Sequence, residues 1–142
     1  MNKCLLTSKT DMWETPQELF DQLNEKWHFD IDLCAVSENA KCSKYYDPET
    51  DSLLQKWEGI CWMNPPYGRE IKKWIKKAYE AAKNGEATVV CLVPSRTDTI
   101  WWHSYCLKAE IEFIKGRLKF GDSKNPAPFP SAIVVFEKNK VR

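Results

Sequence analysis

The segment around Asn64-Pro65-Pro66-Tyr67 restricts the possible fold more than any other part of the sequence. A short apolar run from Gly59 to Met63 precedes it and predicts a buried strand. A segment of helical periodicity follows, from Arg69 to about Asn84. Because ligands of open α/β sheets bind at the carboxyl ends of parallel strands, this turn is predicted to be a binding site.

The residue types in this turn indicate what it would bind. The two prolines fix φ and lack N–H groups, so the turn is stiff. The Asn64 side-chain oxygen and the Pro65 carbonyl can then converge as two acceptors, and Tyr67 offers a flat ring. This combination suits a planar substrate that carries an exocyclic NH2 group. Two other interpretations stay open: an ordinary Asn-Pro turn, or a proline-rich peptide ligand, which the mid-domain position disfavours.

The remaining apolar segments predict an α/β fold with a mostly parallel sheet. Residues 29–35 are predicted to form a first buried strand, and the near-continuous apolar run 87–93 is predicted to form a central strand. Residues 109–115 and 131–136 predict two more strands, joined by a long loop that contains three prolines. Such a pair resembles the antiparallel strands that close a Rossmann-like sheet.

Two segments outside the turn carry polar residues of interest. Thr15 and Pro16 predict a helix start, with Thr15 as the cap and Glu18 completing a capping box. Asp32 lies near the end of the first strand, where it could meet a cationic group or a ribose hydroxyl, or simply be a solvated carboxylate. Residues 36–58 are irregular, with a short helical turn near Asp51.

Length and composition exclude several classes of protein. The 142 residues predict one domain, 1–142, with its core at about 13–137. No apolar run approaches the roughly 20 residues that span a bilayer, and no signal peptide is evident, so we expect no membrane association and a cytoplasmic location. The six cysteines form no C-x-x-C pair, so no metal site is expected. Cys34, Cys61 and Cys91 are predicted to be buried thiols.

Basic and aromatic residues near the turn are candidates for nucleic-acid contact. The net charge of +1 argues against binding through bulk charge, but local patches can still form. Arg69 and Lys72 begin the helix that follows Tyr67, which makes them better phosphate-contact candidates than the other lysines of that helix. Phe129, between two prolines, is either a stacking ring or a loop anchor packed on the core.

Several motifs in a fixed order resemble the small phage-type, Dam-like DNA N6-adenine methyltransferases. The resemblance runs from about Trp13 to Phe136. It rests on Trp13-x-Thr15-Pro16, Asp32-x-Cys34-Ala35 with Asn39, Asp51-x-Leu53 with Trp57, Asn64-Pro65-Pro66-Tyr67, Pro94-x-Arg96-Thr97-Asp98-Thr99 with Trp102-His103, and Gly116-Arg117-Leu118 with Pro128-Phe129-Pro130-Ser131. An ordered set of this kind is much more specific than one tetrapeptide.

The resemblance implies a compact class I methyltransferase fold and S-adenosylmethionine as the methyl donor. It implies that Asn64, Pro65, Pro66 and Tyr67 hold the target adenine. The implied donor pocket is lined by Trp13, Thr15, Pro16, Asp32, Cys34, Ala35 and Asp51. The chain departs from the wider fold because Cys34-Ala35-Val36 replaces the glycine-rich turn, and because the acidic residue for the donor ribose is hard to assign.

The expected partner is double-stranded DNA. Adenine N6 cannot be reached inside a duplex, so the base is expected to swing out and stack on Tyr67. The candidate DNA contacts are Arg69, Lys72, Arg96, Arg117 and Phe129. The acceptor could instead be an RNA base or a protein glutamine, or the domain could bind DNA without catalysis. The chain is too short for a separate recognition domain, so selectivity is expected from loops 96–104 and 116–130 or from a partner; the recognition sequence and the oligomeric state are not predicted.

Overall fold

The structure is a computed structural model that describes residues 13–121 and 123–142. Its architecture is α/β, with a five-stranded mixed sheet in the order β1-β2-β3-β5-β4. In chain order the elements are α1 (Gln17–Trp27), β1 (Ile31–Asp32), a 3-10 turn (Ser52–Leu54), β2 (Gly59–Met63), α2 (Ile71–Lys83), β3 (Ala87–Pro94), α3 (Ile100–Ser104), a second 3-10 turn (Cys106–Lys108), β4 (Glu110–Phe113) and β5 (Ser131–Phe136).

The sheet is mixed and not mostly parallel as predicted, since two of the four strand pairs in the described part of the chain are parallel and two are antiparallel. Strands β1, β2 and β3 are parallel neighbours, and the register places Asp32 opposite Trp62 and Met63 opposite Cys91. Strand β5 is antiparallel to both β3 and β4. The predicted antiparallel C-terminal pair is therefore confirmed. The carboxyl ends of β1, β2 and β3 meet at one edge, and Asn64 leaves the sheet there.

Burial explains why the central strands read as continuous apolar runs. Every residue of β3 and of β5 is buried, so both faces of these two interior strands are covered and their sequences need no polar alternation. Helix α2 buries the predicted stripe, which consists of Ile71, Trp74, Ile75, Ala78 and Ala82, and leaves Lys72, Lys73 and Lys76 exposed. Trp74 stacks on Trp57 with 6.1 Å between the ring centroids, which fixes the segment before β2 against this helix.

Helix α1 differs from its prediction at the amino-terminal end. It begins at Gln17, and its N-cap residue Pro16 makes no side-chain capping hydrogen bond. The predicted Thr15–Glu18 capping box is therefore wrong, since the Thr15 hydroxyl accepts a hydrogen bond from Asn64 instead. Helix α3 is capped by Thr99, whose hydroxyl oxygen accepts from the Trp102 backbone N–H at 3.2 Å.

Candidate active site

The side chain of Asn64 is held in one orientation by two acceptors on the segment before α1. Its Nδ2 donates to the Trp13 carbonyl and, at 2.9 Å, to the Thr15 hydroxyl oxygen. Both partners accept, so the amide nitrogen must face them and the amide oxygen must face away. The partners lie 51 and 49 residues away in sequence, so a single distant segment fixes this amide.

The amide oxygen of Asn64 is the notable atom of the site. It is buried, and it has no hydrogen-bond partner. An unsatisfied buried acceptor costs roughly 1–3 kcal/mol, so such an atom is expected to have a function or a ligand. The neighbouring Pro65 carbonyl likewise accepts no hydrogen bond from any described residue. The turn therefore keeps two acceptors uncommitted, as the sequence suggested.

A cavity of about 170 Å³ lies in front of Asn64 and Pro65. Its wall brings together residues from four segments: Trp13, Glu14, Thr15, Asp32, Cys34, Asn39, Lys41, Trp62, Asn64 and Pro65. Four of the seven residues that the resemblance assigned to the donor pocket are in this set. The volume is below the roughly 300 Å³ of small-molecule sites in general, so the described walls enclose only part of a ligand of nucleoside size.

Asp32 organises the wall of the cavity opposite the turn. Its side chain is 3% exposed, and its two oxygens accept from the backbone N–H groups of Cys34, at 3.2 Å, and Lys41, at 3.0 Å. Burial raises the pKa of Asp32 to about 6, although these hydrogen bonds and the Lys41 charge act in the opposite direction. Of the interpretations left open for Asp32, the solvated strand-end carboxylate is wrong, because this carboxylate is buried and shapes the loop 34–41.

Four lining residues were not among the predicted site residues, namely Glu14, Asn39, Lys41 and Trp62, although Asn39 was part of a quoted motif. Asn39 turns the loop by accepting from the Val36 backbone N–H at 2.9 Å. Lys41 brings an ammonium group whose Nζ donates to Gln17 Oε1 at 2.8 Å. Glu14 brings an exposed carboxylate. No sequence pattern marks Glu14 or Lys41 as a site residue, because only the folding of the loops that carry them brings both side chains to the cavity.

Three predicted donor-pocket residues do not line this cavity. Pro16 and Ala35 flank lining residues but are absent from the wall itself. Asp51 begins the 3-10 turn with a left-handed φ of 55° and interacts electrostatically with Lys77 of α2. Asp51 therefore lies beside α2 and does not line the cavity.

Tyr67 and Pro66 are buried, and the Tyr67 ring offers no open face. Tyr67 is 4% exposed and donates its hydroxyl to the Leu92 carbonyl at 3.1 Å. Burial holds the pKa of this phenol well above its ordinary value. The rings of Phe120 and Phe129 meet it edge to face, at 6.2 and 5.7 Å between centroids. The expected free stacking ring is thus covered in this structure.

Phe129 belongs to an aromatic cluster with Trp13, Tyr67 and Phe120. Its ring lies 5.0 Å from that of Trp13 and 5.8 Å from that of Phe120. Of the two roles expected from the sequence, the structure shows the loop anchor. The ring is only half-buried, however, and its loop is tied back to the site at Gly121, whose N–H donates to the Glu14 carbonyl at 2.8 Å.

The predicted phosphate contacts divide into free and engaged side chains. Arg69, Lys72 and Arg96 are exposed, and the side chain of none of them has a hydrogen-bond or ion-pair partner among the described residues. Arg117 is exposed but its guanidinium donates to the Ala127 carbonyl at 3.5 Å, within the loop that carries Phe129.

The cysteines of the described part offer no activated nucleophile. Cys61 and Cys91 are free and buried, as predicted, and burial raises the pKa of Cys61 to about 12 and that of Cys91 well above its ordinary value. A thiol with a raised pKa stays protonated and unreactive. The expectation of a free thiol at Cys34 is wrong, since this cysteine is disulfide-bonded.

Among the described residues, none of the helices has the length and the apolar composition that a membrane-spanning helix requires.

Comparisons with known proteins agree with the resemblance. Residues 3–140 match the family described as DNA N-6-adenine-methyltransferase (Dam). The chain is 29% identical to the DNA N-6-adenine-methyltransferase of Haemophilus phage HP1 (strain HP1c1) over 142 residues, which cover 92% of this chain and 80% of that relative. It is 34% identical to the DNA N-6-adenine-methyltransferase of Escherichia phage T1 over 95 residues, covering 65% of this chain and 39% of that relative.

Proposed function

This chain belongs to the DNA N-6-adenine-methyltransferase (Dam) family, and from that premise we propose how its residues methylate adenine N6 in DNA. The proposal has three parts: S-adenosylmethionine is the donor, the target adenine leaves the duplex, and Asn64 holds its amino group. The single observation that carries the proposal is the buried, unpartnered Asn64 oxygen at the wall of the cavity. The family assignment selects DNA adenine over an RNA base or a protein amide as the acceptor.

The turn supplies positioning and electrostatics to the reacting nitrogen. Adenine N6 is a poor nucleophile because its lone pair is delocalised into the ring. The Asn64 oxygen and the Pro65 carbonyl accept its two N–H bonds, which favours a pyramidal nitrogen with a localised lone pair. Since both acceptors are fixed before the substrate arrives, no reorganisation is needed at the moment of reaction.

The donor fits the charges of the cavity. S-adenosylmethionine, when bound, supplies an electrophilic methyl group on a positively charged sulfur. The carboxylates of Asp32 and Glu14 are suited to hold the cationic parts and hydroxyl groups of such a ligand, and Lys41 is suited to its carboxylate. Trp13, Cys34 and Asn39 complete this wall. For Pro16, Ala35 and Asp51, the proposed contact with the donor rests on the resemblance alone. The α/β sheet, with its site at the carboxyl ends of parallel strands, suits the compact class I methyltransferase fold of a single domain.

Entry of the adenine requires a rearrangement of the aromatic cluster. Phe129 now covers Tyr67, so a base that stacks on Tyr67 must displace Phe129 or slide between the two rings. Once displaced, Phe129 can stack on the second face of the base, which is the role proposed for it here. Arg69, Lys72, Arg96 and Arg117 are proposed to contact phosphates of double-stranded DNA, in the cytoplasm of the cell that holds that DNA.

Replacing Asn64 by Ala tests the proposal. We expect methyl transfer from radiolabelled S-adenosylmethionine to unmethylated genomic DNA to fall at least about 100-fold, the scale of losing one preorganised polar group. Calorimetry should show donor binding within about threefold of the wild-type value, a shift of under 1 kcal/mol. Equal activity in the two proteins would rule out the proposed role. Methylome sequencing of cells that express the wild-type protein would also give the recognition sequence.

A further inference from the structure

Helices α2 and α3 enclose a cleft next to the candidate active site. Each helix follows one of two adjacent parallel strands, β2 and β3, so both begin at the sheet edge where Asn64 lies. The cleft has a volume of about 360 Å³. Its wall is formed by Lys72, Lys73 and Lys76 on one side and by Ile100, Trp101, Ser104 and Tyr105 on the other.

The charge of this cleft is concentrated and of one sign. Three of the seven lining residues are lysines, and none of the lining residues, all of which the structure describes, is a carboxylate. The Lys73 ammonium pairs with Glu70 at 3.0 Å, whereas the ammonium groups of Lys72 and Lys76 have no hydrogen-bond or ion-pair partner among the described residues. Because the whole chain has a net charge of only +1, this row is a local feature. It is complementary to a polyanion.

Ile100 is the second unusual feature of the cleft. Its side chain is 84% exposed, more than that of any other large apolar residue in the described part of the chain. A single exposed apolar residue is normal. This one, however, is the first residue of α3, on the rim of the lysine-lined cleft and at the edge that carries Asn64. Thr99 fixes its backbone by capping the helix.

We propose that this cleft binds the DNA strand beside the target adenine, and that Ile100 is an apolar wedge that enters the base stack there. Lys72 and Lys76 contact phosphates, which positions the strand without reading its sequence. Branched apolar side chains of this kind unstack and kink duplexes in other DNA-binding proteins. By filling the space that the extruded adenine leaves, Ile100 offsets part of the cost of swinging the base out. This inference rests on the proposed function.

The wedge is tested by Ile100→Ala, with Leu54→Ala as its matched control. Leu54 is 79% exposed on the 3-10 turn Ser52–Leu54, away from the cavity and the cleft. We expect Ile100→Ala to lower kcat for DNA methylation about ten- to fiftyfold, because the substitution removes three carbon groups and with them their apolar contact with the bases. The Leu54 variant should keep the wild-type kcat. On a duplex whose target adenine is mispaired, the Ile100 variant should recover, because less unpairing is required.

The lysine row is tested by Lys72→Gln combined with Lys76→Gln, with Lys138→Gln as control. Lys138 is exposed and follows β5, whose end lies at the opposite edge of the sheet. Fluorescence anisotropy with a 30-base-pair duplex at several salt concentrations should show the slope of log affinity against log salt falling by about 0.9 for each contacting lysine removed. The control should leave the slope unchanged.

Three outcomes would overturn the inference while leaving the proposed function intact. One is a wild-type kcat in Ile100→Ala, and another is a loss on the paired duplex that the mispaired duplex does not rescue. The third is a dimer in sedimentation that Ile100→Ala dissociates, which would make the cleft an interface between two copies. If the wild-type protein transfers no methyl group to DNA at all, the proposed function itself fails, and that result is seen before any variant is compared.

Discussion

The hydrogen bond between Thr15 and Asn64 predicts that a residue far from the turn in sequence controls the rate. In Thr15→Val the acceptor of the Asn64 Nδ2 is lost while the shape is kept, and only the Trp13 carbonyl remains to hold the amide. Thr15 is 5% exposed, so water cannot easily replace the lost acceptor. Removing a buried hydrogen-bond partner costs about 1–3 kcal/mol.

The magnitude in activity follows from that free energy. If the whole cost appears as misplacement of the Asn64 oxygen, kcat falls by about 5- to 150-fold, because about 1.4 kcal/mol corresponds to a factor of ten. Thr15→Ser keeps the hydroxyl and should stay within about threefold of the wild-type kcat, a change of under 1 kcal/mol. Single-turnover methylation of genomic DNA with saturating donor measures the rate constant of methyl transfer itself, so a fall in the chemical step is seen even where product release limits kcat.

A double-mutant cycle on stability separates this explanation from a general packing defect. In the Asn64→Ala background the Thr15 hydroxyl has no amide N–H from which to accept a hydrogen bond. Thr15→Val should therefore lower the free energy of unfolding by at least about 1 kcal/mol less than it does in the wild-type protein. Urea unfolding of the four proteins gives the coupling free energy. A wild-type kcat in Thr15→Val, or strictly additive stabilities, would refute the proposed link between these two side chains.

Three further predictions concern the cavity wall, the α2 anchor and the aromatic cluster. Burial raises the pKa of Asp32 from 3.8 to about 6, so between these two values the folded state holds a proton that the unfolded state has released. The free energy of unfolding should therefore fall as the pH rises from about 4 to about 6, by up to about 3 kcal/mol. Urea titrations at several pH values measure this slope, and Asp32→Asn should remove it. Lys77→Met should lower the free energy of unfolding by about 2 kcal/mol with kcat unchanged, because its Nζ donates to the Leu53 and Gln55 carbonyls; an unchanged melting temperature would contradict this. Phe129→Leu should change the free energy of unfolding by less than about 1.5 kcal/mol but should raise the KM for DNA, because the stacking ring is lost. An unchanged KM would leave Phe129 as a loop anchor only.

Local sequence was sufficient to predict the elements and the position of the turn. The apolar runs and the helical spacing of α2 depend on neighbouring residues, and the structure has strands and a helix at those places. Strand β5 has the predicted bounds, whereas β1 is shorter than predicted, because regular pairing covers only Ile31 and Asp32. The stiffness of the Pro65-Pro66 turn likewise follows from proline geometry alone.

The contacts of the site depend on residues that are distant in sequence, and here local reasoning was incomplete. Thr15 has the local pattern of a helix cap, yet its hydroxyl serves Asn64, which only the approach of the two segments makes possible. The resemblance implied a place for Asp51 in the donor pocket, but Asp51 interacts electrostatically with Lys77 and does not line the cavity. Glu14 and Lys41 reach the cavity without any motif, because the loops that carry them close around it.

Local sequence was enough to specify that an amide and a carbonyl follow a parallel strand at the ligand-binding edge of an α/β sheet. Backbone periodicity and proline geometry are local properties, so the order of residues suffices to specify them. Tertiary structure alone decided that the Asn64 oxygen is left without a partner, that Asp32 is buried and that Phe129 covers Tyr67. These properties depend on which distant groups meet, and the packing of the whole chain determines those meetings.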